Sequence, residues 1–199
     1  MIIDKKDVID YFNAHASSWD SELIKNEGIV ELILDYAGIS RGARVLDVAC
    51  GTGVLIPNYL GRNVSSVTGV DISPEMIRAA AAKFPQSNVS FICADAERDD
   101  IGKDYSNIMI YNAFPHFPNP EKLIEKLSSL LVPGGTLTVA HGMSRTMLDA
   151  HHSGSAAGVS LRLMDEDSLA KIFSKYLTVT AKISNSELYR VTGKNQAQP

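Results

Sequence analysis

Two cysteines in 199 residues are too few for a disulfide-stapled scaffold. Cys50 and Cys93 each close a short apolar run, a buried setting that suits reduced cytosolic thiols. No apolar stretch is long enough to cross a bilayer. The first residues, Met1-Ile2-Ile3-Asp4-Lys5-Lys6-Asp7, are charged where a secretory leader needs an apolar core. An excess of positive charge is also missing: 19 Lys and Arg stand against 23 Asp and Glu, a net charge of −4 without a basic cluster. That argues against a nucleic-acid partner. No repeat, linker or low-complexity tract divides the chain. These absences leave one cytoplasmic domain over 1–199, and 45% hydrophobic with 21% charged residues is an ordinary composition for a domain that buries a real core.

What is present is an alternation of two periodicities. Apolar runs of strand length fall at 44–48, 66–70, 89–93, 107–111 and 136–140. Helical patterns lie between them at 53–60, 74–83 and 120–131, with two more at 4–14 and 21–37 ahead of the first strand. Ser73-Pro74 reads as an N-cap followed by a proline at the first helical position, and Pro133-Gly134-Gly135 as a helix stop. A helix is expected at 166–175 after Asp165, then strands at 177–183 and 187–191 joined by a turn at Asn185-Ser186. The order predicts an α/β fold with a doubly wound, Rossmann-like sheet, mostly parallel with right-handed crossovers.

The densest signal is Val45-Leu46-Asp47-Val48-Ala49-Cys50-Gly51-Thr52-Gly53, a strand that ends in an acid and breaks into glycines. The next strand ends in Val70-Asp71, a second terminal acid. A strand, a glycine turn, a helix and a strand with a terminal carboxylate build a nucleoside pocket in which the second acid reaches the ribose hydroxyls. The third glycine of a dinucleotide fingerprint is missing: Val54, Leu55 and Ile56 follow Gly53. Asp47 beside the loop would repel a phosphate and suits an ammonium group. Both features point away from NAD.

These residues resemble motif I of the class I S-adenosylmethionine (SAM)-dependent methyltransferases. Gly69-Val70-Asp71-Ile72-Ser73-Pro74-Glu75-Met76 is similar to the family's ribose-binding acidic loop, Ala94-Asp95-Ala96 to its adenine-flanking segment, and Leu131-Val132-Pro133-Gly134-Gly135-Thr136-Leu137 to its turn into strand five. The motifs stand in family order over residues 40–140. The resemblance implies a SAM-binding core at 39–140, a helical lid at 1–38, and an acceptor-side segment with a terminal antiparallel hairpin at 141–199. It implies that Ala49, Gly51 and Gly53 line the methionine portion of SAM, that Asp47 meets its ammonium, and that Asp71 accepts from both ribose hydroxyls. Ile72 then packs on adenine, Asp95 accepts from its amino group beside Ala96, and Asn112 and Ala113 touch the cofactor through backbone. Tyr11 or Trp19 of the lid offers the sulfonium a cation–π surface.

The segment Tyr111-Asn112-Ala113-Phe114-Pro115-His116-Phe117-Pro118 lacks the Asn/Asp-Pro-Pro-Tyr signature of enzymes that methylate amino groups of nucleic acids. A small-molecule acceptor is therefore expected, with a homodimer kept open as a way to complete the pocket. The histidines are His15, His116, His141, His151 and His152. His116 or His141 is expected as a general base, with Arg145 anchoring an anionic acceptor. Metal binding by His141, His151, His152 and His116 is the alternative; no metal is expected, because no carboxylate stands at fixed spacing to complete a site. Plain loop histidines are the bland reading. A SAM-binding protein without turnover and a methyltransferase of macromolecules are the competing functions.

Overall fold

The computed structural model describes residues 3–22, 25–145, 147–148 and 158–196. Val45, Leu46 and Val48 make the first strand, β1 (Arg44–Val48), apolar on both faces, as a central strand covered by helices on each side must be. Around it lie β2 (Ser66–Asp71), β3 (Val89–Cys93), β4 (Tyr105–Tyr111), β5 (Leu131–His141), β6 (Thr178–Ser184) and β7 (Tyr189–Lys194). Their order is β3-β2-β1-β4-β5-β7-β6. The first five are mutually parallel, and β7 runs antiparallel to both β5 and β6. The mostly parallel sheet with a terminal antiparallel hairpin is thus as expected. The hairpin closes on Asn185, whose side-chain oxygen accepts from the backbone N–H groups of Glu187 and Leu188 at 2.9 Å each.

Helices α1 (Lys5–His15), α2 (Trp19–Glu22), α3 (Glu27–Tyr36), α4 (Ile56–Gly61), α5 (Pro74–Lys83), α6 (Pro120–Ser129) and α7 (Glu166–Phe173) cover the sheet. Side-chain caps start several of them. Ser73 accepts from Met76 N on α5, and Asp165 accepts from Ser168 N on α7.

Several boundaries differ from the sequence reading, three of them for a visible reason. The helix expected at 21–37 is two pieces, because Asn26 accepts from Ile29 N and starts α3 afresh. The helix expected at 53–60 begins only at Ile56, since Gly51 and Gly53 hold the preceding residues in a turn. The helix expected to reach 131 ends at Ser129, and β5 takes in Pro133-Gly134-Gly135. Cys93 also departs from expectation. It is free and exposed, because β3 is an edge strand, whereas Cys50 is free and buried.

Strand order reverses at β1, between β2 and β4. At such a switch point the loops leaving neighbouring strands diverge to opposite faces, and a crevice opens beyond the carboxyl ends of the strands. The cores on the two faces hold β1 from both sides.

Candidate active site

The crevice at the switch point is lined by residues that follow β1, β2, β3 and β4, and by the N-terminal helices. After β1 the chain turns sharply. Ala49, Gly51 and Gly53 have φ of 56°, 55° and 86°. A Cβ on Gly51 would stand 3.7 Å from the Trp19 indole nitrogen, in the space a ligand would take, and one on Gly53 would strike the Phe84 ring at 2.6 Å. Ala49 holds the same left-handed conformation with a methyl group, which costs roughly 1–2 kcal/mol. Ala49→Gly is therefore expected to raise Tm by about 1–3 °C, net of the entropy glycine adds to the unfolded chain, as read by calorimetry.

Two carboxyls sit on the crevice floor. Asp71, at the end of β2, accepts from Gly51 N and Ser73 N at 2.9 Å, one donor on each oxygen. Burial raises its pKa, and the N–H groups of Ser73, Gly51 and Ile72 draw it back down. Each oxygen keeps a lone pair for a further donor. Asp47 is 2% exposed. Burial raises its pKa to about 8; the Tyr59 phenol on α4 lowers it and Asp71 adds to the rise. No cation among the described residues relieves this, so the buried carboxyl keeps its proton up to about pH 8, and a cation placed beside it would favour the carboxylate.

The N-terminal helices close over the crevice. Phe12 lies edge-on to Trp19 and to His116, with ring centroids 5.4 and 5.0 Å apart. Polar contacts pin this cover at three points that local sequence patterns do not reveal. Lys5 pairs with both Asp95 and the buried Glu97. The Asn13 side-chain oxygen accepts from the Ser73 hydroxyl at 2.7 Å. Asp20 accepts from Thr52 at 2.5 Å, within the glycine loop, and from Lys83 at 2.6 Å. Glu97 in turn accepts from Asn119 N at 3.0 Å, which ties the cover to the segment after β4.

That segment carries His116 in the 3-10 turn Phe114–His116. Its Nδ1 lies 2.9 Å from the Val159 carbonyl oxygen and 3.2 Å from the Ser160 hydroxyl. A carbonyl only accepts, so Nδ1 carries a hydrogen, and in the neutral ring the lone pair then lies on Nε2. Val159 also packs with Ile3 and Val8 under the N-terminal cover, which joins the cover to the orientation of this ring.

Most of the expected site residues gather here. Asp47, Ala49, Gly51, Asp71, Ile72, Asp95, Ala96, Asn112, Ala113, Trp19 and His116 all line the crevice. Gly53 shapes the turn from behind, against Phe84. Tyr11 stands outside, stacked on His15 at 4.3 Å. His141 is fully buried and packs edge-on against Tyr189 at 5.9 Å. It shares a strand face with Leu137 and Val139, and period-two alternation sends that face into the core. Arg145 is not a lining residue; it interacts electrostatically with Asp165 and Tyr189. His151 and His152 lie outside the described residues. Among the described residues no three His, Cys, Asp or Glu side chains cluster as a metal site would require.

Fold and floor define a nucleoside-binding α/β domain built for a ligand with a cationic end in place of a pyrophosphate. Residues 45–135 match the family model of the methyltransferase domain. The chain is 29% identical over 168 residues to malonyl-[acyl-carrier protein] O-methyltransferase of Acetivibrio thermocellus, across 83% of this chain and 59% of that protein. It is 30% identical over 139 residues to ubiquinone biosynthesis O-methyltransferase of Xanthomonas campestris, across 65% of this chain and 58% of that one. The chain thus spans about three-fifths of the length of these relatives. In fold it resembles magnesium protoporphyrin IX methyltransferase from Synechocystis with bound S-adenosylhomocysteine (TM-score 0.74, 18% identity, 96% of this chain and 99% of that one). The chain is thus similar to methyltransferases over residues 45–135, the segment that carries β1 to β4 and the crevice floor.

Proposed function

We propose that this protein transfers a methyl group from SAM to a small-molecule acceptor, with His116 as the general base. The observation that carries the reading is the hydrogen bond from His116 Nδ1 to the Val159 carbonyl, which gives Nε2 the lone pair a base needs, on a residue of the crevice wall. In this reading residues 1–38 act as a lid, 39–140 hold the cofactor and 141–199 supply the acceptor side. The relatives' names support a small acceptor, and the net charge of −4 supports one that is not a nucleic acid.

The residues present fit the cofactor. Asp47 supplies a counter-charge for its ammonium, Asp71 the paired acceptor for its ribose, and Gly51 a wall without a side chain. Ile72, Asp95 and Ala96 would hold its adenine and Trp19 would stand by its sulfonium, all four being residues of the crevice lining. Asn112 enters with φ of 54° and accepts from Gly142 N at 3.0 Å, which holds its own backbone and that of Ala113 at the crevice edge. When bound, SAM supplies a methyl group already activated on a charged sulfur. The chain's own work is to orient the acceptor, to exclude water beneath Phe12 and Trp19, and to take one proton at His116 Nε2.

Asp71→Ala is expected to weaken SAM binding more than tenfold in a calorimetric titration; unchanged affinity would remove Asp71 from the ribose site. The reading as a whole is tested by methyl tracing. Wild type incubated with deuteromethyl-labelled SAM and a cell extract is expected to label a small metabolite, while the Asp71→Ala protein at the same SAM concentration labels far less. Label found only in protein or RNA would overturn the small-molecule reading.

A further inference from the structure

The aromatic side of the crevice says what kind of acceptor it suits. Phe12, Trp19 and His116 are three flat rings, with Phe12 edge-on to each of the others. Phe117 lines the same crevice. A ring inserted among them makes edge-to-face or offset contacts on several sides, whereas a saturated ring of the same size gains only its buried area.

Charge narrows the class further. Among the described residues, the basic side chains lining the crevice are Lys5 and His116. Lys5 is engaged by two carboxylates, Asp95 and Glu97. Arg145, expected at the sequence level to anchor an anion, interacts with Asp165 and Tyr189 and is not part of the lining. The remaining ionisable groups of the described lining are the carboxyls of Asp47, Asp71 and Asp95. An anionic acceptor would meet the carboxyls of Asp71 and Asp95 and, among the described residues of the lining, no guanidinium fork to hold it.

The base sets the third limit. A neutral imidazole draws a proton from a hydroxyl whose pKa is about 10, as in a phenol, far more readily than from an aliphatic hydroxyl, whose pKa lies well above that. A thiolate acceptor would not call on a base at all.

Resting on the reading that the crevice binds SAM and that His116 is its base, we infer that the methyl acceptor is a planar aromatic compound that presents a phenolic hydroxyl and carries no anionic group. In the transfer, a lone pair on the phenol oxygen forms the new C–O bond. The bond from the methyl carbon to sulfur breaks with its electron pair left on sulfur, which ends as a neutral thioether. The phenolic proton passes to His116 Nε2, and the resulting imidazolium, held by Val159, later releases it to solvent.

Trp19 is the chain's only tryptophan, so its fluorescence reports on the proposed acceptor site directly. The protein is first titrated with S-adenosylhomocysteine by calorimetry, and the loaded protein then with three matched probes, followed by calorimetry and by Trp19 emission. The probes are 4-methylcatechol, 3,4-dihydroxybenzoate (a carboxylate in place of the methyl) and 4-methylcyclohexane-1,2-diol (the ring saturated). 4-Methylcatechol is expected to bind at least tenfold more tightly than either of the others and to shift Trp19 emission. Phe12→Leu is expected to keep S-adenosylhomocysteine affinity while reducing the catechol preference over the saturated diol at least fivefold. Equal or tighter binding of the benzoate would overturn the neutral class, and equal binding of the saturated diol the aromatic one. S-adenosylhomocysteine binding without any response to 4-methylcatechol overturns the acceptor class alone. Failure to bind S-adenosylhomocysteine overturns the cofactor reading and this inference with it.

Discussion

His116→Ala is expected to lower kcat by about a hundred- to ten-thousandfold while SAM affinity stays within twofold of wild type. The separation of the two effects is the point. The ring is carried by the segment after β4 and the two acids by β1 and β2, so its loss removes the proton acceptor and leaves the Asp47 and Asp71 contacts in place. Single-turnover kinetics with calorimetry on the same preparation measures both. A variant that loses affinity and rate together would make His116 part of the cofactor site, and a variant at wild-type rate would return it to ordinary loop packing. His141→Ala should behave differently. It opens a hole in the core beside Tyr189 and is expected to lower Tm without a selective loss of kcat.

Asp47→Asn is expected to make the ligand-free protein more stable and to weaken SAM binding by tenfold or more. Asp47 has a folded pKa of about 8 against an ordinary 3.8. Between those values the unfolded chain has released the proton and the folded protein still holds it. Folding stability therefore falls as pH rises from about 4 to about 8, and stays low above that. At roughly 1.4 kcal/mol per pKa unit the strain is on the order of 5 kcal/mol at pH 8. The asparagine carries no such titration. The Tm difference between variant and wild type is thus expected to be near zero at pH 4 and to grow to roughly 10 °C or more at pH 8. Scanning calorimetry across that range checks it; a difference independent of pH would mean that burial of the charge is not the cause. The gain in stability and the loss of affinity share one origin, since a carboxyl left without a partner in the empty site is what a cationic ligand satisfies.

Features encoded within a few residues were legible before the structure. The run from Val45 to Gly53 announces a strand and a turn by itself, and the acid at the end of β2 follows from the same pattern. Strand order follows because β–α alternation with right-handed crossovers leaves few arrangements. Contacts between distant segments left no local mark. Lys5 reaches Asp95 across 90 positions and Asn13 reaches Ser73 across 60, and nothing in either neighbourhood shows periodicity. The Val159 carbonyl that sets the His116 tautomer is backbone, so no side chain advertises it. His141 was the opposite case. Alternation along Leu137, Val139 and His141 already points all three the same way, and the first two are plainly core residues.

The N-terminal cover is held down by polar and ionic contacts, with a small apolar cluster beneath it. The exposed Lys83–Asp20 pair is screened as salt rises, while the more buried Lys5 pairs are screened less and packed apolar surface not at all. If the cover acts as the proposed lid, residence of the spent cofactor is expected to shorten as ionic strength rises, with the stability of the domain little changed. The fastening behaves as a clasp that can be loosened without disturbing the sheet below. Turnover limited by product departure would then quicken with added salt over the same range in which affinity declines.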